Sequence, residues 1–410
     1  MIDRFTSVAN NATVMKMVDK YKFGNHCLPN SKRNFFNMSD KQNYTIQDLA
    51  EYIRQAEPGQ RERGEAWKVA IGLQQVDGLT PSGYLLDTAK KHIEGDISIG
   101  EAKMLIDSYY KSAAGRKEVE NDRTEEADKV SARITELLAE KTFSFTPAQL
   151  TSIHRRLFEG IYKQAGRIRD YNITKNEWVL NGKTVYYASA DTISETLDYD
   201  MGQERAFSYA NMNVDDAIAH LTRFCANLWQ IHPFCEGNTR TTAVFMIKYL
   251  RTLGFNVVND VFAEKSWYFR NALVRANYSD LTQGITETTS YLENFFRSML
   301  LGEEHDLRNR IMHVEWNKKQ DSAMFQSANE TVQSAKTGEE LLSKCKNCTL
   351  EEVALLHIVQ KNPSATQKEI AAQMGKSERT IKTITVHLQE KGVLRRANGK
   401  RNGYWEIINE

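Results

Sequence analysis

The chain has 410 residues, 41% of them hydrophobic, which is enough for two or three folded domains. Its 54 Lys and Arg balance 53 Asp and Glu, which excludes a globally charged surface, so any nucleic-acid or membrane partner has to be sought in local patches. Its five cysteines, odd in number and irregularly spaced, are not typical of a disulfide-stabilised secreted protein. Because the sequence shows neither a leader nor a run of about 18 apolar residues, we expect a cytoplasmic protein without a membrane partner.

The N-terminal third predicts an arm followed by a small helical unit. Residues 1–43 are rich in Asn, Ser and Lys without periodic hydrophobicity, and we expect a loose arm there. Residues 44–116 are helical in pattern, through IQDLAEYIRQA and EAWKVAIGLQQV, and the second run stops at Asp77-Gly78. Two further short helices are expected at Leu85–Glu94 and Ile99–Lys111.

Residues 117–316 predict a second domain that is helical with one exception. ITKNEWVLNGKTVYYASA, Ile173–Ala190, has two β-rich runs around Asn181-Gly182, the pattern of a β-hairpin. An exposed edge strand can pair with an extended peptide through main-chain hydrogen bonds, which favours a protein as substrate. The strand predicted to do so comprises Lys183, Thr184, Val185, Tyr186 and Tyr187. Residues 317–348 are polar and are interpreted as a linker.

The candidate chemistry lies in HPFCEGNTR, between two apolar helices. Unpaired backbone N–H groups at the start of the second helix suit a phosphate. His232 can accept a hydroxyl proton, Glu236 can hold a divalent cation, and Arg240 can offset phosphate charge. Each residue alone is more often ordinary polar surface, but together they indicate phosphoryl or nucleotidyl transfer.

HPFCEGNTR closely resembles the signature of the Fic family, HPFx(D/E)GN(G/K)R, with eight of nine positions agreeing when the free one is counted. The resemblance covers about Ser131 to Met299 and includes IHRRLFEGIYKQAGRIRDYNI and the predicted hairpin, which is similar to the family's target-holding flap. It implies transfer of AMP from ATP, with Mg²⁺, to a Ser, Thr or Tyr hydroxyl of a target protein or of the chain itself.

The same resemblance implies a role for each residue of the motif. His232 would be the base, Phe234 would anchor the loop, and Glu236 would bind magnesium. Arg240 would grip the β- and γ-phosphates. The residues that would cradle the phosphates are Gly237, Asn238 and Thr239.

Two positions depart from the family pattern. Thr239 replaces the usual Gly or Lys, and Ala243 stands where many members carry a second Arg for the γ-phosphate. Transfer of another nucleotide, or of another phosphate-linked group, therefore stays open.

AWKVAIGLQQVDGLTPSGYLL resembles the small antitoxin that accompanies bacterial Fic toxins, whose (S/T)xxxE(G/N) motif directs a Glu towards the second Arg. Asp77 stands at the Glu position and Leu73 at the Ser or Thr position. With Ala243 in place of the partner Arg, we expect this inhibitory salt bridge to be absent. Ile93-Glu94-Gly95 is a weaker candidate, and Asp77-Gly78 as an ordinary helix end is the alternative.

Residues 349–410 read as three helices and a hairpin, the order of a winged helix-turn-helix, with Ser377 as the cap of the third helix. Lys376 to Gly403 carries eight basic residues against two acidic ones, which suits a phosphate backbone. A protein-contact role is the alternative, and the lone Cys345/Cys348 pair does not predict zinc. The predicted DNA contacts are Arg379, Thr380, Lys382, Thr383, Arg395, Arg396, Lys400 and Arg401.

The sequence as a whole predicts a mainly α protein with an antitoxin-like unit, a Fic domain with a β-hairpin flap, and a C-terminal winged helix. The partners considered are a protein substrate or the chain itself, DNA, and further copies in a homo-oligomer. A DNA-binding regulator with a nucleotide-sensing Fic domain is the alternative to an enzyme.

Overall fold

The structure is a computed structural model that describes residues 45–112, 123–210, 212–255, 260–316, 348–398 and 403–408. These residues belong to one compact unit, Tyr44–Glu410. The predicted N-terminal arm, nearly all of the predicted linker, Lys400 and Arg401 lie outside the described residues. The described part is mainly helical, as predicted, and none of its helices is long and apolar enough to span a membrane.

The first helices form a unit with its own apolar core. Three of their starts are capped by the hydroxyls of Thr45, Ser82 and Ser98, which accept hydrogen bonds from backbone N–H groups. Trp67 lies fully buried at the centre. The elements are α1 Ile46–Arg54, α2 Pro58–Gly72, a 3₁₀ turn Leu73–Asp77, α3 Gly83–Glu94 and α4 Ile99–Lys111, close to the predicted bounds.

The next helices surround Val214–Ile231 (α8) and Asn238–Thr252 (α9), which carry the motif loop between them. Every residue of α9 from Asn238 to Leu250 is buried, so this helix is the centre of the larger core. The elements are α5 Thr124–Ala139, α6 Pro147–Phe158, α7 Ile193–Ala206, α8 Val214–Ile231, α9 Asn238–Thr252, α10 Asp260–Glu264, α11 Ser266–Ala276 and α12 Ser290–Leu301.

The prediction of a β-hairpin at Ile173–Ala190 is wrong, because the segment contains no strand. The chain does reverse at Asn181-Gly182, where both residues have positive φ, and the Glu177 N–H donates to the Lys183 carbonyl at 3.0 Å. Val179 and Leu180 are consecutive and both fully buried, which a strand cannot achieve against one core because its neighbours point to opposite faces. A 3₁₀ turn, Trp178–Leu180, turns both side chains inward instead.

The C-terminal residues form the predicted three helices and hairpin, α13 Leu350–Lys361, α14 Gln367–Met374, α15 Glu378–Glu390, β1 Leu394–Ala397 and β2 Tyr404–Ile407. The strands are antiparallel, with Leu394 opposite Ile407. The Ser377 hydroxyl accepts from the Thr380 N–H at 3.1 Å, which confirms the predicted cap.

This C-terminal bundle shares one core with the preceding helices. A side chain at Gly254, after α9, would meet Met374 and Ala354 at 3.2 and 3.3 Å. His357 of α13 is hydrogen-bonded to the Leu300 carbonyl of α12. Cys225 and Cys235 carry free thiols, whereas Cys348 is disulfide-bonded.

Candidate active site

The motif loop HPFCEGNTR is fixed at both ends by backbone geometry. α8 ends at His232, which adopts the left-handed conformation at φ +49°, and α9 begins after Gly237 at φ +75°. The Asn238 side chain closes the loop, accepting from the Phe234 N–H at 2.9 Å and donating to the Phe234 carbonyl at 2.7 Å. Phe234 is buried as expected, and the loop is therefore preorganised.

Gly237 is required by packing as well as by conformation. A Cβ there would lie 2.4 Å from the ring of Phe158. The side chains of its neighbours are already committed, Asn238 to the loop and Thr239 as acceptor from the Trp229 indole at 3.0 Å. What these three predicted phosphate ligands can offer is therefore backbone N–H at the start of α9.

His154 supports the loop from α6 and was not singled out from the sequence. Its Nδ1 accepts from the Gly166 N–H at 2.8 Å, so its Nε2 carries the proton and donates to the Glu236 carbonyl at 2.9 Å. The ring stacks on Phe234 at 3.8 Å. Burial lowers the pKa of His154 to about 4, which keeps it neutral. Its place in IHRRLF was the available signal.

Arg169 holds the other end of the loop and was likewise not assigned a role. Its Nε donates to the His232 carbonyl at 2.8 Å, and its terminal nitrogens donate to the carbonyls of Ala188 and Tyr171 at 2.5 and 2.8 Å. It thus joins the segment after Asn181-Gly182 to the motif. It is the last residue of AGRIR, whose resemblance to the family was the available signal.

His232 is a neutral imidazole with a defined tautomer. Its Nδ1 lies 3.2 Å from the Trp229 carbonyl, which can only accept, so Nδ1 carries the proton and Nε2 carries a lone pair. Burial, and next the charge of Lys175, lowers the pKa of His232 well below 6.5. The Tyr187 ring packs against it at 4.1 Å, and His232 is only 4% exposed.

Arg240 is fully buried and bound by side chains of the protein itself. Its guanidinium lies 2.6 Å from Glu126, 2.8 Å from Asp77, 2.9 Å from Gln74 and 3.1 Å from the Tyr162 hydroxyl. Burial alone would lower the pKa of Arg240, but the charges around it, Asp77 foremost, raise it above its ordinary value. The group predicted to grip phosphates is therefore occupied.

Asp77 forms a salt bridge that the sequence analysis did not predict. The bridge to a second motif arginine is absent, because Ala243 stands at that position, but the turn Leu73–Asp77 packs against α9 and brings the Asp77 carboxylate to Arg240, the first motif arginine. Ala243 is buried and takes no part. Glu94, the weaker candidate, accepts from the Tyr52 hydroxyl at 2.8 Å in the N-terminal unit instead.

Glu236 is compatible with a cation held mainly by a substrate. Its side chain is 57% exposed and pairs with Lys175 at 2.9 Å. The described residues contain no group of three metal-ligating side chains. Mg²⁺ is commonly held by one or two carboxylates together with substrate phosphates and water, and one exposed carboxylate fits that pattern.

The predicted flap residues differ in exposure and form no strand. Lys183 pairs with Asp280 at 2.8 Å, and the Thr184 hydroxyl accepts from the Lys175 N–H at 3.0 Å. Val185 is buried, Tyr186 is 82% exposed, and Tyr187 turns back onto His232.

The described basic residues of the C-terminal patch differ in exposure and in pairing. Arg379, Lys382 and Thr383 are exposed on α15, and Thr380 is half-buried. The other described cations of the patch are engaged within the bundle. Lys376 pairs with Glu351, Lys391 with Glu352 and Arg395 with Glu406, and Arg396 lies over the Trp405 ring at 4.7 Å.

Two parts of the fold correspond to known classes of domain. One is the helical core that carries the HPFCEGNTR loop, and the other is the C-terminal bundle of three helices and a hairpin. Residues 144–250 match the family model described as Fic/DOC family, and residues 352–395 match the one described as winged helix-turn-helix DNA-binding. The chain therefore contains a Fic domain and a C-terminal winged helix-turn-helix domain.

Two curated relatives are protein adenylyltransferases by name. The protein adenylyltransferase VbhT of Bartonella schoenbuchensis is 22% identical over 189 residues, 45% of this chain and 37% of that protein. The probable protein adenylyltransferase y4lH of Sinorhizobium fredii is 27% identical over 152 residues, 37% of this chain and 73% of that protein. The match thus spans little more than a third of the Bartonella relative.

A solved structure of a Fic family protein from Desulfovibrio desulfuricans G20 is 13% identical, with 89% of this chain and 96% of that chain covered. Its TM-score of 0.39 supports no further argument.

Proposed function

We propose that the chain transfers AMP from ATP to a Ser, Thr or Tyr hydroxyl of a target protein or of the chain itself, with His232 as the base. The observation that carries the proposal is the Nδ1 contact of His232 with the Trp229 carbonyl, which leaves Nε2 free to accept a proton. The relatives named as adenylyltransferases, both of low identity and partial coverage, support the same reaction type.

In the proposed reaction, the target oxygen attacks the α-phosphorus of ATP. The new O–P bond forms as the bond to the β-phosphate oxygen breaks, the hydroxyl proton passes to Nε2 of His232, and pyrophosphate leaves. The N–H groups at the start of α9 bind phosphate oxygens, and Arg240 offsets their charge once it is freed. Mg²⁺ held by Glu236 would neutralise phosphate charge.

The contacts of Arg240 support a self-restrained resting state. Two carboxylates, from Asp77 and Glu126, hold the guanidinium that the phosphates of ATP would need. ATP has to displace at least one of them. Only molecules in which Arg240 is released can bind ATP fully, so the apparent affinity for ATP is lowered in proportion to their fraction.

The test compares the protein with His232→Asn after incubation with magnesium and each α-labelled ribonucleotide in turn. Asn is chosen because it adopts the left-handed conformation of this position more readily than Ala does. We expect a mass gain of one AMP per chain or on an added target, reduced at least about 100-fold in the variant.

Thermal unfolding of both proteins serves as the control for folding. Labelling by another nucleotide alone would identify a different transferase. Equal labelling of the two proteins would contradict the role of His232.

A second candidate function is a DNA-binding regulator with a nucleotide-sensing Fic domain. The observation that favours it is the exposed start of α15, where Arg379 and Lys382 have no ion pair within the described residues. DNA binding that responds to ATP, in a protein that never labels itself or an added target, would support this function over the enzyme.

A further inference from the structure

His232, the base of the proposed reaction, is linked to a series of buried polar contacts. The Tyr187 ring packs on the buried His232 imidazole at 4.1 Å, so movement of this ring would expose the imidazole to a target hydroxyl. The Tyr187 hydroxyl donates to the Glu177 carboxylate at 3.3 Å. Glu177 is 1% exposed, so its charge needs a partner.

The partner of Glu177 is Arg270 of α11. The guanidinium donates to both carboxylate oxygens, at 3.0 and 2.9 Å, and lies 5.4 Å from the Trp267 ring centre. Its other terminal nitrogen donates to the Val76 carbonyl at 3.1 Å. Val76 immediately precedes Asp77, so Arg270 holds the turn that restrains Arg240.

Contacts therefore run without a break from His232 through Tyr187, Glu177 and Arg270 to the turn that ends at Asp77. Removing one partner of a buried ion pair leaves an uncompensated charge, so the Glu177–Arg270 pair is costly to break and tends to move as a unit. Movement of the turn therefore shifts Arg270. A shift of Arg270 moves the Glu177 carboxylate, which accepts the hydrogen bond from the Tyr187 hydroxyl.

We infer that Glu177 and Arg270 are positioning residues that couple release of Arg240 from Asp77 to exposure of His232. The phosphate end and the target end of the site then open together. The meaning of the two ends rests on the proposed function, but the coupling is a property of the fold and can be measured without nucleotide.

The first experiment measures how fast diethyl pyrocarbonate modifies His232 in the full chain without nucleotide, by mass spectrometry of the peptide that contains it. Asp77→Asn weakens the ion pair with Arg240, which lies at the opposite end of this series of contacts from His232. Asp77 itself does not contact His232. We expect its rate of His232 modification to rise at least about fivefold over the unaltered protein. Asp87→Asn, an exposed change on α3 of the same unit, is the matched control and should leave the rate unchanged.

The second experiment repeats Asp77→Asn in an Arg270→Lys background. Lys is a point donor and cannot bridge Glu177 and Val76 as the planar guanidinium does. The effect of Asp77→Asn on His232 should then fall below about twofold. Tyr187→Phe, which keeps the ring but removes the hydroxyl bonded to Glu177, should have the same consequence if Arg270→Lys does not fold.

Either of two results overturns the coupling. One is an equal rate of His232 modification in Asp77→Asn and Asp87→Asn. The other is a full effect of Asp77→Asn that persists in both Arg270→Lys and Tyr187→Phe. Failure of the proposed function is seen separately, as absence of ATP binding and labelling, and does not alter the reading of His232 reactivity.

Discussion

His232 has a left-handed backbone conformation and a buried, neutral imidazole ring. A positive φ is uncommon for a residue other than Gly, and such residues are frequent at functional sites. The Nδ1 contact with the Trp229 carbonyl fixes the ring, and Arg169 fixes the carbonyl of the same residue. Geometry and protonation state are both set before any substrate arrives.

The lowered pKa of His232 predicts a specific pH dependence. Labelling requires the neutral imidazole, and burial moves its protonation below the ordinary value of 6.5. The rate should therefore stay constant from about pH 7.5 down to about pH 6, whereas an unperturbed His would already have lost much of its activity. The measurement is kcat/KM for labelling across this range. A half-maximal rate near the ordinary value would contradict the prediction.

Gly237→Ala should destabilise the protein through both conformation and packing. The added Cβ meets the Phe158 ring and requires a left-handed Ala, at a combined cost of roughly 2–5 kcal/mol in the free energy of unfolding. Gly284→Ala is the control, because Gly284 also has positive φ but open space around it, and should cost only roughly 1–2 kcal/mol. Urea unfolding of both variants measures the difference. Equal losses would show that the Phe158 contact relaxes freely.

At the scale of an element, the 3₁₀ turn Leu73–Asp77 joins the N-terminal helices to the motif. Gln74 and Asp77 both reach Arg240 from it, and its Val76 carbonyl is held by Arg270. Gly78 follows in the left-handed conformation, which ends the turn and lets the chain leave towards α3. The helix stop predicted from the sequence is therefore present, and it also places the Asp77 carboxylate beside Arg240.

Asp77→Asn should raise the affinity for ATP. It removes one of two carboxylates that compete with the phosphates for Arg240, while Glu126 remains. A charge-assisted hydrogen bond contributes about 1.5–3 kcal/mol, so an increase of at least roughly tenfold is expected. Titration calorimetry with ATP and magnesium measures it, with Asp87→Asn as the control. An unchanged affinity would mean that Glu126 alone keeps the arginine closed.

At the scale of the whole molecule, the winged helix and the Fic domain share a core. Met374 and Ala354 pack at Gly254, and His357 bonds to the Leu300 carbonyl. A truncation before α13 would expose this apolar surface, so DNA binding is better separated from labelling by point substitutions.

Arg379→Glu with Lys382→Glu should weaken binding of duplex DNA. Both side chains are exposed at the start of α15 and unpaired within the described residues, so reversing them replaces phosphate attraction by repulsion. We expect at least about a tenfold loss and a shallower dependence of affinity on salt, measured by fluorescence anisotropy. Arg395→Glu is the comparison, since Arg395 is already paired with Glu406 and should matter less. Equal losses of DNA affinity in both variants would argue against α15 as the recognition helix.

The sequence by itself determined the helices and the composition of the motif loop. The apolar period, the hydroxyl of Ser377 and the Gly residues that end helices are local signals, and the structure places the elements close to where these signals predict them. The winged helix was predicted for the same reason. The β-hairpin prediction at Ile173–Ala190 failed because burial of Val179 and Leu180 in one core overrode the local β preference.

Only the tertiary structure decided which side chains meet across the site. Asp77 was expected to lack a salt bridge because Ala243 stands where the usual partner is an Arg, yet packing of the turn against α9 brings Asp77 to Arg240, together with Glu126 from α5. The same holds for the contacts of Arg270 with Glu177 and Val76. Such pairs join segments far apart in the chain, and their geometry depends on how whole helices pack, which no local period or spacing encodes.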